Sequence, residues 1–175
     1  LAGGHYRHGQ HLAFDAANGE VLWSHRELEA IDTRAACMNQ GRVYLFRFGS
    51  YLTCLEASTG NVLWRRTPEN APEVFDALGP YMNRQDWRTN WRTTAYLKCN
   101  EQGLYFSGPQ VNSLLALSAE DGSLLWQHPY NNYQLVLYED ALFGLSGQID
   151  NEVSRRFDPL TGHVLEEIAL ARRAC

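Results

Sequence analysis

Cysteine and methionine are scarce in this 175-residue chain, with four of the first and two of the second. Cys37, Cys54, Cys99 and Cys175 are scattered, with no two adjacent, no C-x-x-C and no C-x-x-C-H. That excludes thioredoxin-like, zinc-ribbon and c-type haem chemistry and leaves free thiols or long-range pairs. No apolar run approaches the roughly 20 residues that span a bilayer as a helix, so no transmembrane segment is expected. Positive charge is in deficit, with 15 Lys and Arg against 20 Asp and Glu for a net charge of −5. A nucleic-acid partner is therefore not expected, because phosphate backbones require clustered cations. Low-complexity tracts, a Ser-His-Asp constellation and a phosphate-cradling glycine loop are absent, and helical periodicity is absent across the repeat described below. Neither Leu1 nor Cys175 reads as a natural terminus, so the lack of a signal peptide carries no information about where the full protein resides.

What is present is a repeat. Four segments superpose on one glycine, running from Ala13 through Gly19 to Trp23, Cys54 through Gly60 to Trp64, Ala116 through Gly122 to Trp126, and Arg156 through Gly162 to Glu166. The glycines are spaced by 41, 62 and 40 residues (60−19, 122−60, 162−122). Two of these intervals match a four-stranded blade of about 40 to 45 residues, and the middle one carries an insertion. The glycine supplies a positive φ for a tight turn. Asp15, Glu56 and Asp158 before it, with Asn18, Thr59, Asp121 and Thr161, are suited to hydrogen-bond loop amides. A short apolar pair follows, and then Trp23, Trp64 or Trp126 offers a flat surface to fill the gap between blades. The fourth copy has Glu166 there, so its outer strand is expected to dock less tightly.

The fold expected is all-β: a partial β-propeller of about three and a half four-stranded antiparallel blades. Residues 1–26 read as the second half of a blade, 33–67 as a blade, 68–93 as an interblade insertion, 94–129 and 133–168 as blades, and 169–175 as the start of the next. Cys37 and Cys99 each precede a glycine by four residues, Gly41 and Gly103, and so read as equivalent positions.

The string A-x-D-x-x-T-G-x-x-x-W is similar to the tryptophan-docking motif of quinoprotein alcohol dehydrogenases. The variation among copies resembles the wider pyrroloquinoline-quinone (PQQ)-like repeat family. The resemblance covers nearly the whole chain and specifies fold. It implies the remaining blades of a parent propeller as partners, and a bacterial, periplasmic or extracellular location. The dehydrogenases of that family carry a vicinal cysteine pair and a Glu, Asn and Asp calcium site beside a catalytic Asp, and none of these matches a motif here. The non-enzymatic branch is therefore expected: a scaffold binding a small molecule or a protein, with no metal and no cofactor evident. A PQQ- and calcium-dependent alcohol or sugar dehydrogenase is the alternative.

In such a blade the loop between the second and third strands shares a face with the interblade connection, and the glycine turns lie on the other face. The insertion ends in Asn83-Arg84-Gln85-Asp86-Trp87-Arg88-Thr89-Asn90-Trp91-Arg92, which holds both tryptophans outside the repeat. Aromatic faces beside planar donors suit a sugar ring, a carboxylate or a quinone-like acid. Trp87, Arg88, Trp91 and Arg92 are thus candidate ligand contacts, with Gln110, Asn112, Gln148 and Asp150 on neighbouring loops; a cap over the propeller is the bland reading. His5, His8 and His11 invite a metal reading, but no carboxylate or cysteine accompanies them and a solvated loop is expected. Arg155-Arg156 and Arg172-Arg173 read as strand positions.

Overall fold

The computed structural model describes residues 9–29, 31, 35–79, 96–108, 111–129, 134–139, 141–145 and 153–169. Its strands are β1 Gly9–Phe14, β2 Val21–Glu27, β3 Ala36–Asn39, β4 Arg42–Arg47, β5 Tyr51–Glu56 and β6 Val62–Arg66. After a helix, α1 Pro72–Leu78, come β7 Tyr96–Cys99, β8 Gly103–Ser107, β9 Leu114–Ser118 and β10 Leu124–His128. The last sheet is β11 Gln134–Tyr138, β12 Ala141–Leu145, β13 Ser154–Phe157 and β14 Val164–Ile168. Within each sheet the strands pair antiparallel in sequence order, giving one two-stranded and three four-stranded sheets among the described residues. The first strands of successive sheets meet, β3 on β7 and β7 on β11, as blades of a propeller do around its axis.

The four glycine turns share one hydrogen-bond pattern. In each, the residue four before the glycine accepts from the glycine N–H (Asp15, Glu56, Ser118, Asp158, at 2.8–2.9 Å). The same residue donates to the carbonyl just past the glycine at 2.8 Å. Asn18, Thr59, Asp121 and Thr161 each accept from the amide two residues on, at 2.9, 3.2, 3.0 and 3.4 Å. Asp15 and Asp158 also hold loop amides. Glu56 does not: its longer side chain overshoots the amides and takes the Thr59 hydroxyl at 2.6 Å instead.

Each outer hairpin then carries a bulge at the same place. Val62 pairs with Leu55 and Trp64 with Cys54, leaving Leu63 as the extra residue; Leu22, Leu125 and Leu165 occupy the same position in the other copies. A bulge bends the strand and increases its twist. It leaves those four leucines about half exposed, at 45–58%, and turns the following tryptophan toward the next blade.

That docking is direct. A methyl group placed on Gly60 would lie 2.7 Å from the Trp23 ring, on Gly122 2.7 Å from Trp64, and on Gly162 2.6 Å from Trp126. The glycines of the later repeats therefore serve the positive φ and also vacate the space the preceding blade's indole fills. Trp23 Nε1 donates to Ala57 O and Trp126 Nε1 to Pro159 O, both at 2.8 Å.

Alternation along the strands sorts the core into layers between sheets. Tyr44, Phe46, Leu52 and Cys54 meet Leu97, Leu104, Phe106 and Leu115 in the largest layer. Tyr105, Leu114 and Trp126 meet Leu135, Leu142 and Phe157 in the next. Leu45, Tyr51 and Leu55 face Trp23 in the third.

The helix is a departure from the all-strand expectation. Pro72 starts it, where a missing N–H costs nothing, and Val74, Phe75, Ala77 and Leu78 are buried in the largest layer. Gly79, at φ 82, ends it by donating to the Phe75 and Asp76 carbonyls. Seven residues are too few for a helical period to stand out in the sequence.

Candidate functional site

The seam between the sheets β3–β6 and β7–β10 differs from the other two, and its two ends present the chemistry worth weighing. At one end, α1 plugs the layer and Asn112, on the loop joining β8 to β9, donates its amide N–H to Leu78 O at 3.0 Å. The Asn112 side chain lies against Gly79, where an added methyl would meet it at 2.1 Å. The base of the insertion and the loop carrying Asn112 are therefore one packed unit. Trp87, Arg88, Trp91, Arg92, Gln110, Gln148 and Asp150 lie outside the described residues.

The other end, on the glycine-turn face, opens into a polar cleft of about 280 Å³ lined by Asn39, Arg42, Tyr44, Asn100, Glu101 and Glu120. Gln40 Nε2 reaches across to Glu101 Oε2 at 2.8 Å, joining the two hairpin tips. At its base, Ala119 O stands where the indole acceptors Ala57 and Pro159 stand in the neighbouring seams. Here it accepts from Arg42 Nη1 at 2.7 Å and from Tyr44 Oη at 3.2 Å. Trp64 Nε1 is consequently buried with no partner among the described residues. The Trp64 ring packs on Tyr44 at 5.9 Å between centroids. Burial raises the Tyr44 phenol to about 12, so it remains a neutral donor. Arg42 was not among the residues singled out from sequence. Its signal would have been a cation two residues before Tyr44 in a strand otherwise apolar to Phe46.

The seam between β1–β2 and β3–β6 is closed by charge. Glu27, 5% exposed, accepts from Arg65 Nη1 at 2.8 and 3.0 Å and lies 2.9 Å from His25 Nε2. Arg65 also donates to Thr53 Oγ1 at 2.8 Å and covers the Tyr51 ring at 4.4 Å. Burial alone would raise the Glu27 carboxyl, but hydrogen bonds from Arg65 and His25 outweigh it and hold the group below its ordinary 4.5. A depressed folded-state pKa gives stability that is complete above the ordinary value and is lost as pH falls through the lower one. Glu27→Gln should cost about 1–3 kcal/mol at pH 7, Arg65 being partly solvated. In thermal melts from pH 7 to 3 the gap between wild type and variant should close; a gap that widens on acidification would refute the assignment.

Of the histidine run, His11 lies in β1 rather than in a loop, its ring 6.4 Å from that of His25. Burial first, then the neighbouring His25, lowers its pKa and favours the neutral ring. His5 and His8 lie outside the described residues, and among those described no three His, Cys, Asp or Glu gather around a common point. Arg155 pairs with Glu167 of the adjacent strand at 3.0 Å, which occupies it within its own blade.

The repeat period, the bulged hairpins and the tryptophan set on the next blade's glycine define a β-propeller architecture, with three four-stranded blades and one two-stranded blade among the described residues. Residues 8–83 match the family described as "Outer membrane protein assembly factor BamB". BamB from Moraxella catarrhalis superposes with a TM-score of 0.59 at 14% identity, over 93% of this chain and 47% of that one. A computationally designed protein matches over 89% of this chain and 42% of its own, with a TM-score of 0.57 and 14% identity. A second designed protein matches over 78% and 71%, with a TM-score of 0.50 and 13% identity. The chain thus spans about half the length of the BamB structure it resembles. No curated protein sequence matches it. Among the described residues no helix is long and apolar enough to cross a membrane.

Proposed function

We propose that this chain is part of a non-enzymatic bacterial propeller that works in the periplasm as an interaction scaffold, in the manner its family's name, an assembly factor for outer membrane proteins, suggests. The observation that carries this reading is the anchoring of the insertion. Leu78 O is tied to Asn112, and α1 is sunk in an interblade layer. A loop fixed at its base to a rigid sheet is a better binding platform than a free one, because less entropy is lost on engagement. Trp87, Arg88, Trp91 and Arg92 follow within the same insertion and are the proposed anchors, since binding energy concentrates in a few Trp and Arg residues. Gln110, Asn112, Gln148 and Asp150 are the proposed neighbours.

Photo-crosslinkers installed at positions 87 and 91 of the parent protein in its own cells should capture one protein partner. Trp91→Ala with Arg88→Ala should reduce that capture at least about tenfold, the loss of roughly 1.4 kcal/mol, with the β-sheet spectrum unchanged. A crosslinker at Leu22, exposed on the outer edge, serves as the negative control. Equal capture at Leu22 would overturn the reading. So would tight calorimetric binding of PQQ with calcium that survives the double change, which would favour a dehydrogenase.

A further inference from the structure

The two strands that meet at the centre of the unusual seam each bring a cysteine, and the hairpin registers decide where those cysteines point. In the β3–β4 hairpin the turn is Gln40-Gly41, both at positive φ, so Asn39 faces Arg42 and Cys37 faces Tyr44. In the β7–β8 hairpin the turn falls one residue earlier relative to its glycine. Asn100 donates to Gly103 O, Cys99 faces Leu104, and it is Lys98 that faces Tyr105. Lys98, not Cys99, is therefore the structural equivalent of Cys37, although both cysteines stand four residues before a glycine.

Because side chains alternate along a strand, a one-residue offset reverses the face. Cys37 joins Tyr44 and Cys54 on the face that looks forward to the next sheet. Cys99 joins Leu97 and Leu104 on the face that looks back, and all of these share one layer. With β3 packed on β7 and both cysteines set against the same layer, the offset makes Cys37 and Cys99 a facing pair, close enough for each to perturb the other's titration. Both are partly accessible, whereas Cys54 is fully buried.

We propose that Cys37 and Cys99 are a dithiol site that closes into a disulfide across the β3–β7 seam when the protein meets a small-molecule or protein disulfide. The step balances as ordinary exchange. The Cys99 thiolate attacks one sulfur of the incoming disulfide, forming a mixed disulfide and expelling the first thiolate, which takes up the proton Cys99 has released. Cys37 then gives its proton to solvent and attacks the Cys99 sulfur, and the bond to the second reagent thiol breaks. The two cysteines lose two electrons and two protons, and the reagent gains both as two thiols. The order follows from the pair's surroundings. The neighbouring Cys37, and then Lys98, hold the Cys99 thiol below its ordinary range despite burial, while the neighbouring Cys99 and burial push Cys37 up. Cys99 is therefore the better first nucleophile.

The closed bond would span 62 residues (99−37) and join two sheets that share no strand pairing among the described residues. Oxidised glutathione is added to the intact, natively folded chain, and thiols are then counted and peptides mapped without reduction. Two thiols should disappear into a Cys37–Cys99 link at a rate independent of protein concentration. The melting temperature should rise by about 8 °C and return on reduction. Cys37→Ser should stop the reaction at glutathione attached to Cys99, and Cys54→Ala should leave the link intact. An unchanged thiol count would overturn the proposal, as would persistent glutathione on Cys99 in the unmodified chain, or a link made instead to Cys54 or Cys175. None of these outcomes depends on the proposed partner.

Discussion

Trp126→Ala is expected to lower unfolding free energy by about 3–5 kcal/mol, the range for truncating a large buried aromatic. The indole is 9% exposed, tilted against Tyr105 at 6.2 Å and stacked near Phe157 at 6.5 Å. Its removal opens a cavity between two blades and leaves Pro159 O without its donor. Urea denaturation followed by tryptophan-independent circular dichroism measures it, and a loss below about 1 kcal/mol would refute docking as the role of this residue. Phenylalanine sharpens the test. Trp126→Phe discards a hydrogen bond, whereas Trp64→Phe discards a buried N–H that has no acceptor among the described residues. The former should therefore be the costlier by about 1–2 kcal/mol. Equal costs would mean that Arg42 has not displaced the Trp64 indole from Ala119 O.

Gly162→Ala should destabilise by about 2–4 kcal/mol, with Gly19→Ala as its built-in reference. Both glycines have positive φ, +70 and +76, so both substitutions incur the backbone strain of about 1–2 kcal/mol. Only Gly162 faces an indole; around Gly19 nothing stands within 4 Å of an added methyl. The difference between the two variants isolates what the close approach of Trp126 contributes. If both cost the same, the glycine is there for its turn alone.

The sheets were legible in the sequence because each repeat states its own turn. The oxygen-bearing side chain just before each glycine makes the same hydrogen bond in four places, the one four before it caps loop amides in three, and the bulge follows at a fixed offset in all four and the tryptophan in three. Glu56 shows the limit of that reading, since an acid of the wrong length fills the same position and bonds a hydroxyl instead. The helix Pro72–Leu78 was missed because its apolar residues, Val74, Phe75 and Leu78, cover barely two turns. The exchange of acceptors at Ala119 was invisible for a different reason. Arg42, Tyr44 and Trp64 are separated from it by up to 77 residues, and only the packing of two sheets brings them to one carbonyl. The cysteines show the same limit at its smallest. A count from the nearest glycine made Cys37 and Cys99 equivalent, and a turn placed one residue earlier made them opposed.

The forward docking of each tryptophan gives the arc a polarity like that of a row of shingles, every piece lying over the next and held down by the one before. Such a contact is heterologous: lip and ledge belong to different ends of one repeating piece, so it propagates until a curve brings the last piece back to the first. The repeat signature itself therefore does not set how many blades a ring holds; the angle between neighbouring sheets does. A shingle without a lip is where wind lifts a roof. The repeat with Glu166 in the tryptophan's place is that shingle. Its strand β14 is exposed along most of its length among the described residues, and a blade laid over it would meet a carboxylate where the others meet an indole.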